Sequence, residues 1–317
     1  MRLLIVCSGN ALNGESSDIS QLQPFIYEQA LKLMELGIEI DFFLINGKGL
    51  IGYLKNYKKL VMTLRKKYDL IHAHYGLSGV IANLQNKIPV ITTFHGSDIN
   101  LGYLRIISYF PLLKSVQSIF VSQGQLNKVF FKSKITIIPC GVDLNVFYPF
   151  ANRASYFKSD SFKHKKKILF SASFSNKIKN YPLARAALLN LNSDNIELIE
   201  LFNKSRKEVC NLLNTSDLLL LTSLSEGSPM VIKEAMACNC PIVSTDVGDV
   251  REVFGDTIGC YIASFDPKDV AEKIKLALEF TDANLCTNGR ERIIKMGLDS
   301  EHIAERIAEV YRKCLLP

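Results

Sequence analysis

The sequence contains no run of eighteen or more uninterrupted apolar residues, which excludes a membrane-spanning helix of ordinary length. Its opening, MRLLIVCSGN, turns polar too quickly for a secretory signal, so a cytoplasmic protein is expected. No short tandem repeat or low-complexity tract interrupts it, which excludes solenoids. No cysteine framework is present either. Cys7, Cys140, Cys210, Cys238, Cys240, Cys260, Cys286 and Cys314 are scattered singly through a chain too long to need staples, and reduced thiols are expected. Cys238 and Cys240 form a lone C-x-C with no second pair to complete a zinc site. A D-x-D metal-holding motif is also missing.

What the chain does have is length, apolar residues and an uneven charge. Its 317 residues exceed one ordinary core, so two domains are expected, and 48% hydrophobic against 22% charged residues is a globular balance. Residues 1–150 carry net +6, residues 151–167 net +5 and residues 168–317 net −4. The first half is the basic half, and the Lys-rich stretch after it reads as a solvated linker.

Short β-rich apolar runs recur along the first half: RLLIVCS, IEIDFFLI, DLIHAH, PVITTFHG, SIFVSQ and ITIIPCG. Amphipathic stretches lie between most of them. In FIYEQALKLMELG, Phe25, Ile26, Ala30, Leu33 and Met34 share one helical face, and Gly37 ends the helix. After the linker the alternation restarts with ILFSAS, IELIEL, DLLLLTS, PIVSTDV and GCYIAS. Such alternation predicts an α/β protein of two doubly wound, Rossmann-like domains facing a cleft, at residues 1–150 and 168–317, joined by a linker at 151–167. A return of the last helix to the first domain is a separate expectation.

The stretch SEGSPMVIKEA, Ser225–Ala235, sits where chemistry is expected in such a fold, just past the carboxyl end of the strand DLLLLTS. Pro229 suits the first helical position, with Ser228 as N-cap. The helix start offers free N–H groups and a positive dipole end to an anion, and Gly227 lets the backbone approach it closely. Glu234 lies about 7 to 8 Å further along the axis at ~1.5 Å per residue. That is too far to touch the same phosphate, yet suited to accept from hydroxyls. A ligand with hydroxyls at both ends and a diphosphate between is a nucleotide-sugar, with Glu226 holding the sugar and Glu234 the ribose. Taken singly, either glutamate reads more readily as a solvated charge; the pair around a Gly-Ser-Pro turn at a buried strand's end reverses that.

EGSPMVIKEA resembles the E-x7-E signature of retaining glycosyltransferases of the GT-B fold, family 4. Segments similar to that family run nearly the full chain: PFIYEQALKLMELG, DLIHAHYG, TTFHGSD, IPCGVDLNVFYP, KNYPLA and LLLTSLSEGSPMVIKEAMACNCPIVSTDVGDVREV. The resemblance implies Glu226 at the donor sugar, the backbone of Gly227, Ser228, Pro229, Met230 and Val231 at sugar and diphosphate, and Glu234 at the ribose. It implies Lys179 as the cation on the departing diphosphate, His95 beside the reacting sugar and Gly14 as a close-approach glycine. Two departures stand out. Ser173 occupies the position where the family often has arginine, leaving Lys177 to supply that charge. Only one strand–helix unit lies between KNYPLA and DLLLLTS, where the base pocket is normally built. The implied activity is metal-independent transfer with retention, from a UDP-sugar to a saccharide or lipid-linked acceptor in cell-surface polysaccharide assembly, with no cofactor and no nucleic acid.

Other readings compete. Gly47–Gly52 is a literal G-x-G-x-x-G, but it follows the second strand, and the next strand ends in histidine, not an acid. His72, His74 and His95 could form a three-histidine metallohydrolase site, though no carboxylate follows at ligand spacing. A non-catalytic carbohydrate-binding protein would be expected to lose the donor residues, which are present. Finally, the stretch 50–70 sets Lys55, Lys58, Lys59, Arg65, Lys66 and Lys67 beside an apolar face, predicting a basic helix for a lipid-diphosphate acceptor or the inner, anionic face of a cell membrane.

Overall fold

The computed structural model describes residues 1–10, 19, 22–130, 134–151, 165–193, 195–283 and 286–316. Two compact units divide it, Met1–Gly141 with Ser300–Pro317, and Val142–Asp299. Gly14 and residues 152–164 of the linker lie outside the described residues.

The first unit alternates strand and helix: β1 Arg2–Ser8, α1 Pro24–Glu35, β2 Glu39–Ile45, α2 Gly49–Leu54, α3 Tyr57–Thr63, β3 Leu70–His74, α4 Gly76–Ala82, β4 Val90–Phe94, α5 Ser97–Asn100, α6 Gly102–Lys114, β5 Gln117–Phe120, α7 Gln123–Leu126 and β6 Ile135–Ile137. All pairings are parallel, in the order β2-β1-β3-β4-β5-β6. Each expected strand is present; β1, β3 and β4 are buried on both faces, which is why their sequences show short β-rich runs and not an alternation of apolar and charged residues. Ile26, Ala30 and Leu33 of α1 are buried as their spacing predicts, whereas Met34 is exposed. Gly37 ends α1 at φ 81°, and the following Ile38 N–H reaches back to Leu33 O.

The second unit runs β7 Lys166–Phe170, a 3₁₀ turn Lys177–Lys179, α8 Tyr181–Leu191, β8 Ile196–Glu200, α9 Arg206–Thr215, β9 Leu218–Leu221, α10 Met230–Ala237, β10 Ile242–Thr245, α11 Val250–Phe254, β11 Cys260–Ala263, α12 Pro267–Asp282 and α13 Gly289–Lys295. Its sheet is parallel in the order β11-β10-β9-β7-β8. The sequence-based boundary at residue 150 differs from the division at Gly141. The intervening segment is tied to the second unit: Arg290 donates to the carbonyls of Phe147 and Leu144, and Phe150 N–H to Asn214 Oδ1. The last helix, α14 Ser300–Leu315, packs in the first unit against α1, with Glu301 2.9 Å from Lys32.

The expected single basic helix over residues 50–70 is two helices, α2 and α3. The chain breaks at Asn56, whose side-chain amide donates to Asn46 O, Gly52 O and Tyr53 O. Such side-chain competition for backbone acceptors is what disfavours asparagine inside helices. Among the described residues no helix is long and apolar enough to cross a membrane.

Candidate active site

The second unit gathers its chemistry past the carboxyl ends of β7 and β9. The 3₁₀ turn after β7 docks on the loop after β9: Leu224 N–H donates to Ile178 O, and the buried Thr222 hydroxyl meets the carbonyls of Lys179 and Asn180. Asn180 takes a left-handed conformation, φ 54°, that turns the chain into α8. These bonds aim Lys179, whose Nζ lies 2.7 Å from Glu226 Oε1 with both side chains half-buried. Two residues that the resemblance assigns to opposite ends of a scissile bond thus meet directly. Lys177 starts the same turn and is exposed, and Ser173 shares its hydroxyl with Ser175 at 2.9 Å.

The helix beyond Glu226 begins one residue later than expected. Pro229 is extended, at φ −68° and ψ 116°, and is the N-cap, with α10 starting at Met230. Ser228 does not cap because its hydroxyl is engaged elsewhere: it donates to Asp249 Oδ2 and accepts from Lys233 Nζ. Lys233 is fully buried and its ammonium lies 3.6 Å from the Asp249 carboxylate. A lysine sealed inside a protein is tolerated only when paired and hydrogen-bonded. Here the pair fixes the Gly227–Ser228 turn from beneath. From the side, Gly248, at φ 63°, packs so closely that a Cβ there would meet Gly227 O at 2.6 Å. Gly227 is itself buried, Met230 half-buried and Val231 buried.

Glu234 is not a solvated helix charge. It is 4% exposed, and its carboxylate accepts from Arg206 at 2.7 Å. Arg206, at the start of α9, lies over the Phe147 ring at 4.5 Å. Only β8 and α9 separate α8 from β9, as the short spacing implied.

In the first unit His95 follows β4. Its Nε2 lies 2.9 Å from His74 Nδ1, with the Phe25 and Tyr75 rings at 4.7 Å. Tyr75 holds φ 71°, rare for a bulky side chain, and is pinned by its N–H to Thr93 O and its hydroxyl to Gln23 Oε1. Buried Asp98 accepts from the N–H groups of Gly76, His95 and Gly96. The three histidines do not form a metal-ligand set: both ring nitrogens of His72 are engaged, by Tyr311 and Thr93, and no group of three described ligand side chains could hold an ion.

Burial sets the charge of this cluster. It holds His72 and His95 down to about 3 and His74 well below its ordinary value, while burial pushes Asp98 up to about 6. A histidine kept neutral in the fold but protonated in the unfolded chain between about pH 3 and 6.5 costs nothing above about 6.5 and lowers stability as pH falls through that window. Asp98 has the opposite sign, since below about pH 6 the folded state binds its proton more tightly. The histidines outnumber it. Urea unfolding between about pH 7.5 and 5.5 should therefore show stability dropping by up to ~1.4 kcal/mol per buried histidine per pH unit below 6.5. His72→Gln should flatten that slope; an unchanged slope would show that His72 does not carry it.

Comparison with known proteins identifies the family of the chain. Residues 186–299 match the family model "Glycosyl transferases group 1", and residues 27–146 match "Glycosyltransferase Family 4". An uncharacterized glycosyltransferase of Methanocaldococcus jannaschii is 30% identical over 250 residues, covering 71% of this chain and 70% of that protein. The chain belongs to glycosyltransferase family 4.

This family 4 glycosyltransferase is 26% identical to the N-acetyl-alpha-D-glucosaminyl L-malate synthase of Bacillus anthracis, over 78% of this chain and 75% of the synthase. It is 23% identical to the UDP-Gal:alpha-D-GlcNAc-diphosphoundecaprenol alpha-1,3-galactosyltransferase of Escherichia coli, over 62% and 64% of the two chains. Solved structures share its GT-B fold: the sucrose-phosphate synthase of Thermosynechococcus elongatus, with TM-score 0.80, 18% identity and 98% coverage of both chains, and Anabaena HepE in complex with UDP and glucose, with TM-score 0.74, 17% identity and coverage of 98% and 99%. Sequence reasoning missed Arg206, Lys233, Gly248 and Asp249 of this family 4 enzyme. Arg206 lies inside the Ser205–Glu208 capping box, a signal that marks a helix start but names no partner for Glu234.

Proposed function

We propose that the chain transfers a glycosyl group from a UDP-sugar to a saccharide or lipid-linked acceptor, with retention and without a metal. The observation that carries this reading is the Lys179–Glu226 pair over the anchored Gly227–Ser228 turn. HepE is described as binding UDP and glucose, and the Escherichia coli relative's name specifies a UDP-sugar donor and a diphosphoundecaprenol acceptor.

In the proposed reaction Glu226 accepts hydrogen bonds from the sugar hydroxyls, and Lys179, assisted by Lys177, the Ser173 loop and the N–H groups at the start of α10, takes the diphosphate. Breaking the C1–O bond puts positive charge on the ring and negative charge on the phosphate, where fixed positive groups lower the barrier. The acceptor oxygen bonds to C1 on the face the diphosphate leaves, and its proton passes to the departing phosphate oxygen. His95, held neutral by burial, is proposed to hydrogen-bond a sugar hydroxyl. Glu234 is proposed at the ribose, exchanging or sharing its Arg206 contact.

A thermal-shift panel of nucleotide-sugars, followed by assay of the selected donor with EDTA and assignment of the product anomer, tests the reading. A shift with UDP-sugars, turnover in EDTA and a retained anomer are expected; activity abolished by EDTA and restored by Mn²⁺ would discredit the metal-free site. Glu234→Ala should weaken binding of free UDP by ~1.5 to 3 kcal/mol, as for a lost hydrogen bond to a charged group. An unchanged Kd would remove Glu234 from the ribose.

A further inference from the structure

Helix α6 is anchored on one side and bare on the other. Its inner face is built for close packing: a Cβ on Gly76 would meet Ser108 Oγ at 2.0 Å and one on Gly79 would meet Pro111 at 2.8 Å, while Leu112 enters a cluster with Phe94 and Phe120. The outer face carries Tyr103, Ile106, Phe110 and Leu113, spaced three, four and three residues apart, a single stripe on a helix. They are 67%, 72%, 38% and 58% exposed. Phe130, 89% exposed, is tied to the same helix, its N–H donating to the Tyr109 hydroxyl at 3.3 Å. Scattered apolar residues on a surface need no explanation, but a contiguous aromatic and aliphatic stripe marks an interaction site.

Charge decides what covers it. Between Asp98 and Asp143 the sequence has no acidic residue and five basic ones, Arg105, Lys114, Lys128, Lys132 and Lys134. Lys114 ends α6 and is exposed, and Lys128 reaches Asn100 Oδ1 at 2.6 Å beside the helix start. A second copy of this face would set cations against cations. A nucleic acid would leave Ile106 and Leu113 in water. An anionic bilayer meets both requirements, because its headgroups pair with lysines while its acyl boundary takes the aromatic and aliphatic side chains. The lysines of α3 belong to the same net-basic unit and add longer-range attraction, but α6 has the apolar stripe that can insert.

We infer that the exposed Tyr103–Leu113 stripe of α6, with Phe130, docks the first unit on an anionic phospholipid surface. Helix α6 starts eight residues after β4, so the Tyr103 end of the stripe lies toward the carboxyl ends of this unit's strands, the end at which a lipid-linked acceptor held at the bilayer would present its sugar. This consequence rests on the proposed acceptor; the docking does not.

The sequence contains no tryptophan, so a single introduced indole reports one position. Ile106→Trp should show a blue-shifted emission with phosphatidylglycerol-containing vesicles, quenching by brominated acyl chains and no shift with phosphatidylcholine alone. Leu189→Trp, on exposed α8 of the other unit, should not respond. Ile106→Asp with Leu113→Asp, at exposed sites that should leave the fold intact, should lower vesicle partitioning about tenfold or more. Lys58→Glu with Lys59→Glu and Lys66→Glu should weaken binding only at low salt and preserve the shift at Ile106→Trp. An unshifted Ile106→Trp, an equal shift at Leu189→Trp, undiminished partitioning of the double Asp variant, or lipid-independent self-association that this variant abolishes would each overturn the docking face. No donor, acceptor or turnover enters the measurement, so its failure is separable from failure of the transferase reading.

Discussion

A Lys179→Ala enzyme is expected to turn over about 10²- to 10³-fold more slowly than wild type, the loss of ~2.7 to 4 kcal/mol seen when one fixed stabiliser of transition-state charge is removed. Lys179 is held where its charge is useful: the Thr222 hydroxyl fixes its carbonyl, and Leu224 N–H fixes the residue before it. Exposed Lys177 is screened by water and should cost less when truncated. If both meet one diphosphate, the double variant should be less than additive. Single-turnover rates at saturating donor separate this effect from binding. Glu226→Gln sharpens the test, since Lys179 pairs with Glu226 in the structure. Removing that partner should not rescue Lys179→Ala if the lysine acts on the leaving group. Wild-type turnover in Lys179→Ala would assign the phosphate to α10 and Lys177 alone.

Lys233→Ala should be the most destabilising single change around the site, by ~3 to 5 kcal/mol, because it leaves the Asp249 carboxylate buried without its cation. Replacing both, as Lys233→Met with Asp249→Leu, should recover much of that stability, since desolvating the ions offsets most of their attraction. It should not recover donor binding, because Ser228 then loses both of its partners and the turn that Gly248 presses against is no longer fixed. Urea unfolding gives the first quantity and calorimetric titration with UDP the second. A double variant as unstable as Lys233→Ala would mean that the ammonium stabilises the unit through contacts other than Asp249.

The seven interior strands were legible because strands buried in a sheet's middle write themselves as short, mostly apolar runs, while the edge strands β2, β6, β8 and β11, only partly buried, were legible from their β-branched and aromatic residues. The placement of Glu226 on the loop before α10 and of Glu234 within that helix was legible because both lie on one short stretch of chain. The support beneath it was not. Lys233 and Asp249 are sixteen residues apart, and a lysine on a helix reads as solvated until its neighbours are known to seal it. Ser228 looked like an N-cap because its side chain is a good one; the competing Lys233 and Asp249 claimed it. The break between α2 and α3 was hidden for a similar reason, since Asn56 acts through Asn46, a contact ten residues away.

His72 and Tyr311 meet at 2.6 Å across 239 residues of sequence. On the ribosome, at roughly 5 to 20 residues per second, the strand carrying His72 waits on the order of ten to fifty seconds for the helix that completes it. During that interval the inner surface α14 will cover stands open while the whole second unit is made and can fold. The first part of the chain to be synthesised is the last to be finished, and the time it stays open is when a nascent-chain chaperone has most to do.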